Sequence, residues 1–201
     1  MKGLVFVLAM TLCLAGGCFT HHSRAASGGE KHMSLPKPVT TGGKALMDAL
    51  SQRKSERSFS GNPVSDQDLS NILWAAWGVN RADGKRTVPT SRNRQEMQVF
   101  AVLESGVWQY DPAANTLSLA LAGDQRGKYG GAPLVLLYSA PFEAAYGGMH
   151  AGSAYQNVGL YCASAGLANV VKTTGVDALK DSLPLPSGYK VLVIQAIGWP
   201  K

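Results

Sequence analysis

The chain has 201 residues, of which 45% are apolar and 16% are charged, enough for one domain with its own hydrophobic core. This composition excludes a disordered chain, a collagen and a coiled coil. The 19 Lys and Arg against 13 Asp and Glu leave a net charge of +6, which suits solubility, a phosphate-bearing ligand or an anionic surface. The basic residues are scattered and no aromatic platform is interleaved with them, so we expect no binding of nucleic acid.

The first 18 residues have the pattern of an export signal. Met1-Lys2 is a short basic start, the run from Leu4 to Leu14 is apolar, and small residues lead into Cys18. The run is too short for a membrane span, and its end is similar to the lipobox of bacterial lipoproteins. This similarity implies lipidation at Cys18 and an exported protein of the cell envelope, periplasmic or anchored to the membrane, with soluble secretion as the alternative.

Residues 19–41 are rich in Ser, Gly, His, Pro and Thr and show no apolar period, which predicts a flexible tether. His21, His22 and His32 lie in it, without rigid partners for a metal ion. The cysteines at positions 13, 18 and 162 have no Cys-x-x-Cys spacing, so we expect no metal site and a buried, unreactive Cys162. The folded domain is expected over residues 42–201.

The folded part alternates between helical and strand periods, which predicts an α+β domain. Helices are predicted over residues 44–53, 66–77 and 150–167, the first with Leu46, Met47 and Leu50 inward. The second has the sharpest ends, because Ser65 and Asp68 form a capping box and Gly78 closes the helix. Strands are predicted over residues 99–103, 106–110, 116–121, 133–139 and 189–197, of which 106–110 and 116–121 form a hairpin.

Signatures for nucleotide hydrolysis, Rossmann binding, zinc proteolysis and α/β-hydrolase chemistry are absent from the sequence. A cationic cluster, Arg53-Lys54-Ser55-Glu56-Arg57, stands out at the end of the first helix. Two guanidiniums with a hydroxyl between them suit a phosphate. The same charges also suit a solvent-exposed helix C-terminus, where positive charge interacts favourably with the negative end of the helix dipole.

A second polar cluster, Pro89-Thr90-Ser91-Arg92-Asn93-Arg94-Gln95, precedes a buried strand. Its hydroxyls and amides offer both donors and acceptors to the edge of a heteroaromatic ring. By itself, a cluster of this composition is also typical of a turn.

In order, these segments resemble the nitroreductase-like family of FMN-dependent oxidoreductases, over residues 45–200. Arg53, Ser55 and Arg57 match its Arg-x-Ser-x-Arg element, and residues 89–95 match its Pro-Ser-x-x-Asn-x-Gln element. Further matches are Gln156-Asn157, Gly166-Leu167 and Ala196-Ile197-Gly198-Trp199-Pro200. Residues 73–78, 86–89 and 106–112 look most like the SagB-type branch of this family.

The resemblance implies a central mixed or antiparallel sheet flanked by helices, FMN as the cofactor, and a homodimer. It implies two-electron transfer between NAD(P)H and a small organic acceptor, with no catalytic acid or base assigned, because the flavin carries the chemistry. In the family, a backbone N–H near Gly175 reaches the flavin ring. The residues that the resemblance assigns to the cofactor are Arg53, Lys54, Ser55, Arg57, Thr90, Ser91, Asn93, Thr174, Gly175 and Lys201.

Other side chains have less definite expectations. His150, at the start of the third predicted helix, is expected at the surface or as a cap rather than in proton transfer. Tyr129, Tyr146 and Tyr155 line either the substrate side or the core. The alternative function is a lipoprotein that keeps a degenerate form of this scaffold and acts as a binding or accessory protein of the envelope.

Overall fold

The computed structural model describes residues 31–142 and 146–201, so the predicted signal and Cys18 lie outside the described part. The helices are α1 Leu46–Gln52, α2 Asp66–Trp77 and α3 Gly147–Ala165. The strands are β1 His32–Ser34, β2 Gln98–Leu103, β3 Gly106–Asp111, β4 Thr116–Ala122, β5 Leu134–Pro141, β6 Ala168–Lys172 and β7 Tyr189–Gly198.

The strands form one sheet of seven, in the order β1-β4-β3-β2-β5-β7-β6. Every neighbouring pair is antiparallel. The predicted α+β fold, an antiparallel sheet flanked by helices, is therefore confirmed, and the predicted hairpin is β3–β4.

Both faces of the sheet are buried. Successive side chains of a strand point to opposite faces, so each strand contributes to both cores. Val99 and Ala101 of β2 pack toward α2 and α3. Phe100 and Val102 face the other way, where residues that follow the strands, such as Tyr129, cover them. β2 and β5 are accordingly apolar along nearly their whole length.

The ends of α2 are those that the sequence predicts. Ser65 Oγ accepts a hydrogen bond from the Asp68 N–H at 3.0 Å and donates one to Asp68 Oδ2 at 2.6 Å. Gly78 closes the helix and donates its N–H to the Trp74 carbonyl at 2.8 Å. The predicted apolar stripe, which includes Ile72 and Leu73, is fully buried.

The prediction that Leu46, Met47 and Leu50 of α1 face the core is wrong. Leu46, Met47 and Leu50 are 63%, 73% and 43% exposed, and Ala49 is the buried residue of the helix. The chain before α1 is anchored to the end of α3, where the Lys44 N–H donates to Ser164 Oγ at 2.8 Å. A helical period identifies an apolar face but not the surface that covers it, and no part of the described chain covers this face.

The predicted tether of residues 19–41 is wrong from His32 onward, where β1 pairs with β4 and buries Met33 against the core. The chain then crosses α2, and the Val39 N–H donates to Asn71 Oδ1 at 2.8 Å. His32 is exposed and lies 3.1 Å from Ser118 Oγ. A strand of three residues with one buried side chain has no period to detect, which explains the error.

α3 begins at Gly147, three residues before its predicted start, and Gly166 ends it with a φ of +76°. β6, an edge strand that pairs with β7, was not predicted. Among the described helices, none is long and apolar enough to cross a membrane.

Candidate functional site

Residues 53–60 run from the end of α1 along one end of the sheet, and backbone hydrogen bonds hold them there. The Arg53 N–H closes α1 on the Ala49 carbonyl at 2.9 Å. The Glu56 N–H donates to the Asn169 carbonyl of β6 at 2.8 Å, and the Ser60 N–H donates to the Trp199 carbonyl at 2.8 Å. The cationic segment is therefore fixed on the sheet rather than on a free helix end.

The same pairing brings the last residue of the chain to this segment. Phe59 and Pro200 form an antiparallel bridge, so Lys201 lies opposite Ser58 in the register of that bridge. The predicted site residues Arg53, Ser55, Arg57 and Lys201 are thus collected at one end of the sheet.

The cations of this cluster differ in their partners. Lys54 pairs with Glu56, at 3.4 Å between Nζ and Oε1. Within residues 31–142 and 146–201, Arg53 and Arg57 have no ion-pair partner. Two guanidiniums without a counter-charge leave this end of the sheet able to bind an anion.

Arg53 lies against the middle of α3, at a position where α3 has a glycine. A Cβ on Gly159 would lie 3.6 Å from both Cγ and Cδ of Arg53, and 3.7 Å from Asn169 Oδ1. A larger side chain there would crowd the arginine. Gly159 and Asn169 are therefore part of the candidate site, although the sequence analysis did not identify them.

Residues 90–95 form a tight polar loop before β2, with a short 3-10 turn at Ser91–Asn93. The Asn93 N–H donates to the Thr90 carbonyl at 3.1 Å, and Gln95 Nε2 donates to Asn93 Oδ1 at 2.9 Å. The loop thus keeps Thr90, Ser91 and Asn93 close together.

The polar loop is conformationally strained. Arg92, Asn93 and Gln95 have φ values of +52°, +53° and +48°, in the left-handed region that residues other than glycine rarely adopt. Each such residue costs about 1–3 kcal/mol and persists only where surrounding contacts hold it. Strain of this kind is typical of functional sites.

His150 supplies a contact that holds the polar loop. Its side chain is buried, at 4% exposure, and Nε2 accepts the Ser91 N–H at 2.9 Å. The expected surface or capping role is therefore wrong, because α3 starts earlier and places His150 in its first turn, beneath the loop. Nothing in the sequence signals this contact.

The cationic segment and the polar loop lie on opposite sides of α3. His150 contacts the loop and Gly159 contacts Arg53, nine positions further along the helix. Nine residues correspond to two and a half turns, so the two side-chain directions are opposed and about 13.5 Å apart along the axis. The structure therefore does not join these two predicted parts into one pocket within a single chain.

The third predicted part, Thr174 and Gly175, lies in the turn after β6. Gly175 has a φ of +85°, and a Cβ there would lie 3.9 Å from Tyr129 Cδ1 and 4.0 Å from Ile194 Cδ1. Both of these residues belong to the core on the sheet face that α3 does not cover. Gly175 allows a close backbone approach, but the described contacts do not connect it with the other two parts.

The remaining candidates are mostly core residues. Burial raises the pKa of Tyr129 to about 12, Tyr155 is partly buried against the core, and Tyr146 is exposed and stacks on His150 at 6.4 Å between ring centroids. Burial also raises the pKa of the Cys162 thiol far above its usual range, in agreement with the predicted buried, unreactive cysteine.

A cleft of about 470 Å³ opens between α1, the end of α3 and β6. Lys54 and Glu56 of the cationic segment line this cleft, whereas Arg53, Ser55 and Arg57 do not. This cleft therefore does not contain the two guanidiniums.

Comparison with known proteins places this architecture in one family. The family model described as the nitroreductase family matches residues 50–199. A provisionally assigned nitroreductase of Methanocaldococcus jannaschii is 30% identical over 151 residues, which are 62% of this chain and 76% of the relative.

Solved structures share the fold. A provisionally assigned nitroreductase of Ralstonia eutropha JMP134 is 33% identical, with a TM-score of 0.81, and the match covers 88% of this chain and 93% of that one. A nitroreductase of Bacteroides fragilis solved with bound FMN is 18% identical, with a TM-score of 0.57 and coverage of 79% and 89%. At that identity the second structure supports the fold alone.

Proposed function

We propose that this chain, which belongs to the nitroreductase family, is an FMN-dependent oxidoreductase that transfers two electrons from NAD(P)H to a small organic acceptor. The observation that carries the proposal is the pair of guanidiniums, Arg53 and Arg57, which lie at one end of the sheet and form no ion pair with any residue that the structure describes. The family relation supports an oxidoreductase, and we propose FMN as its flavin because a nitroreductase of the same fold, that of Bacteroides fragilis, was solved with FMN bound.

The residues present fit the phosphate of FMN. Arg53, Arg57 and the Ser55 hydroxyl supply charge-assisted and neutral donors, and Lys201 adds a further positive charge across the bridge with Pro200. Lys54 is less suited, because Glu56 already balances its charge. We therefore assign the phosphate to Arg53, Ser55, Arg57 and Lys201.

The polar loop fits the ring edge of FMN. Thr90 and Ser91 carry hydroxyls, Asn93 carries an amide, and the strained backbone keeps them close together. Amide and hydroxyl groups can pair with the alternating donors and acceptors of a flavin edge. In the same proposal, the backbone at Thr174 and Gly175 approaches the ring from the other side.

A complete site needs a second copy of the chain. The cationic segment and the polar loop lie on opposite sides of α3, so they would meet most simply if the loop of one subunit faced the cationic segment of its partner. The exposed apolar face of α1 ends next to Arg53 and offers the contact surface. We therefore propose a homodimer with FMN between the subunits.

When bound, FMN would supply hydride acceptance and donation. The chain's own residues would bind and orient it: the cations neutralise the phosphate, and the polar loop fixes the ring edge. No side chain is assigned as an acid or base. Nitroaromatics and quinones are the candidate acceptors. The SagB-type likeness of residues 73–78 and 86–89 extends the proposal to azoline rings, which would instead give two electrons to the flavin on oxidation to azoles.

The proposal is tested by the visible absorption spectrum of the purified protein, recorded before and after FMN is added and the excess removed. We expect a retained yellow chromophore with a flavin band shifted from that of free FMN. An Arg53→Ala/Arg57→Ala double variant, treated identically, is the matched control and should retain little colour. A wild-type protein that stays colourless would contradict the cofactor assignment and favour the accessory scaffold.

A further inference from the structure

We propose that His150 is a positioning residue for the polar loop of residues 90–95, and that this loop holds its FMN-binding conformation only while the imidazole is neutral. The inference rests on the proposed function, because it concerns the loop assigned to the ring of FMN. It assigns to His150 a role that the cofactor assignment does not include.

The polar loop has few hydrogen bonds to the rest of the described chain. Residues 90–95 are joined mainly to one another, through Asn93 to Thr90, Arg94 to Ser91 and Gln95 to Asn93. In the described part of the chain, the bond from the Ser91 N–H to His150 Nε2, at 2.9 Å, is the one hydrogen bond from these residues to another element. Because the loop carries three left-handed residues, loss of this bond would let it relax.

The hydrogen bond from Ser91 determines the protonation state of the His150 ring. A backbone N–H can only donate, so Nε2 must accept and carries no proton, which puts the proton of the neutral ring on Nδ1. Nδ1 is buried and has no hydrogen-bond partner among the described residues. A second proton would have to bind Nε2 and would set two N–H groups against each other.

The ring of His150 is buried in the first turn of α3, close to the polar loop. Of the described titratable and charged groups, Tyr146 stacks on the ring, Arg92 and Arg94 lie in the loop that it contacts, and Glu96 follows that loop. The remaining ones on α3 and on the elements packed against it are Asp48, Asp66, Asp68, Tyr138, Tyr155, Tyr161, Cys162, Lys172, Tyr189 and Lys190. Glu96 already pairs with Arg94, at 3.8 Å. Protonation of His150 should therefore release the loop rather than strengthen its contact.

The test compares two substitutions at this position. Gln places an oxygen near the position of Nε2 and cannot gain a proton in this range, so His150→Gln should bind FMN within about threefold of wild type at pH 8. Leu offers no acceptor, so His150→Leu should bind FMN about tenfold more weakly at pH 8. Rescue by Gln and not by Leu separates positioning from simple packing.

The decisive readout is the pH profile of FMN affinity between pH 8 and pH 5.5, where histidines usually change charge. The phosphate of FMN also titrates in this range, but the His150→Gln variant carries that contribution unchanged. We expect wild type to lose at least fivefold more affinity than His150→Gln over the range. Equal losses in the two proteins would overturn the proposal, even if both bind FMN.

A measurement without flavin keeps this inference separate from the proposed function. The amide resonance and hydrogen exchange of Ser91, followed by NMR in the FMN-free protein, should change with pH in wild type and stay nearly constant in His150→Gln. If wild type binds no FMN at any pH, the proposed function fails, while the Ser91 amide still decides whether His150 holds the loop. A Ser91 amide indifferent to pH and to both substitutions would refute the role of His150.

Discussion

At the scale of single residues, the candidate site is marked by two guanidiniums in one short segment. Acidic neighbours balance some other cations of the described chain: Arg126 binds Asp124 at 2.7 Å and holds the pKa of that carboxyl below its usual range, and Lys85 pairs with Asp83 at 2.7 Å. In the described part of the chain Arg53 and Arg57 have no such partner, although the backbone around them is fixed by hydrogen bonds. A rigid backbone with unbalanced guanidiniums is suited to an anionic ligand.

The first prediction concerns these two arginines. Arg53→Ala and Arg57→Ala should each weaken FMN binding by about 1.5–3 kcal/mol, because each removes a charge-assisted hydrogen bond to the phosphate. Titration calorimetry with FMN measures the change. Lys54→Ala is the matched control in the same segment, and its effect should stay well below 1 kcal/mol since Lys54 is exposed and pairs with Glu56. Unchanged affinity in both arginine variants would refute the phosphate assignment.

At the scale of elements, α2 and α1 show two different sources of helix stability. α2 carries its own start and stop signals and buries its apolar stripe within the chain. α1 has seven residues and no side-chain cap, and its apolar side chains face solvent. A helix so short is marginal by itself, so packing of Ala49 on α3 and the anchor at Lys44 must keep it in place.

The prediction for α2 is a loss of stability without a change of fold. Ser65→Ala removes the hydroxyl that accepts the Asp68 N–H and should lower the free energy of unfolding by about 1 kcal/mol. Urea unfolding followed by circular dichroism measures this difference. Ser51→Ala removes an exposed hydroxyl that donates to the Asp48 carbonyl of its own helix but accepts no helix N–H, and it should leave the midpoint unchanged or raise it slightly. A midpoint for Ser65→Ala equal to that of wild type would show that the cap contributes nothing.

The prediction for α1 concerns association. Met47 is 73% exposed, and in a twofold dimer a charge at this position occurs twice. Met47→Asp should raise the dimer dissociation constant by at least about 100-fold, since each lost apolar contact is worth about 1.5–3 kcal/mol. Sedimentation equilibrium gives the constant, and retained FMN should fall with it.

Two controls make the association experiment decisive. Val39→Asp alters another exposed apolar side chain, one that lies outside α1 and whose backbone N–H bonds to Asn71 of α2, and it should leave the dimer intact. The far-ultraviolet circular dichroism of Met47→Asp should match that of wild type, because the side chain contributes little to the fold of one chain. A wild-type protein that sediments as a monomer while binding FMN would contradict the shared site.

At the scale of the whole molecule, one sheet with two buried faces supports every part of the site. α3 packs on one face and separates the polar loop from the cationic segment, while the turn after β6 lies against the other face. The rigid sheet fixes the distances between these parts. The separation of the polar loop from the cationic segment is the basis of our proposal that FMN lies between two subunits.

The predicted location of the whole molecule is also testable. The lipobox-like sequence before Cys18 leads us to expect an exported, lipid-anchored protein. Wild type should partition into the detergent phase of a Triton X-114 extract of producing cells, and Cys18→Ser should move to the aqueous phase. Cys162→Ala is the control and should partition like wild type, because that thiol is buried. Wild type found only in the aqueous phase would favour soluble secretion.

The sequence by itself determined the elements whose signals are local. The capping box at Ser65, the alternation of β3 and β4 and the long apolar run of β5 each depend on residues close together in the chain, so their periods can be detected without a structure. The ordered motifs around Arg53 and Asn93 pointed to the family for the same reason, because each motif is contiguous.

Only the tertiary structure decided how these pieces relate to one another. β1 and β6 are short edge strands whose pairing partners are distant in sequence, and the outward face of α1 depends on how α3 anchors it. The contact of His150 with Ser91 spans 59 positions, and the separation of the two polar parts depends on the turn of a helix between them. Such relations are set by packing between distant residues, and no local pattern in the chain records them.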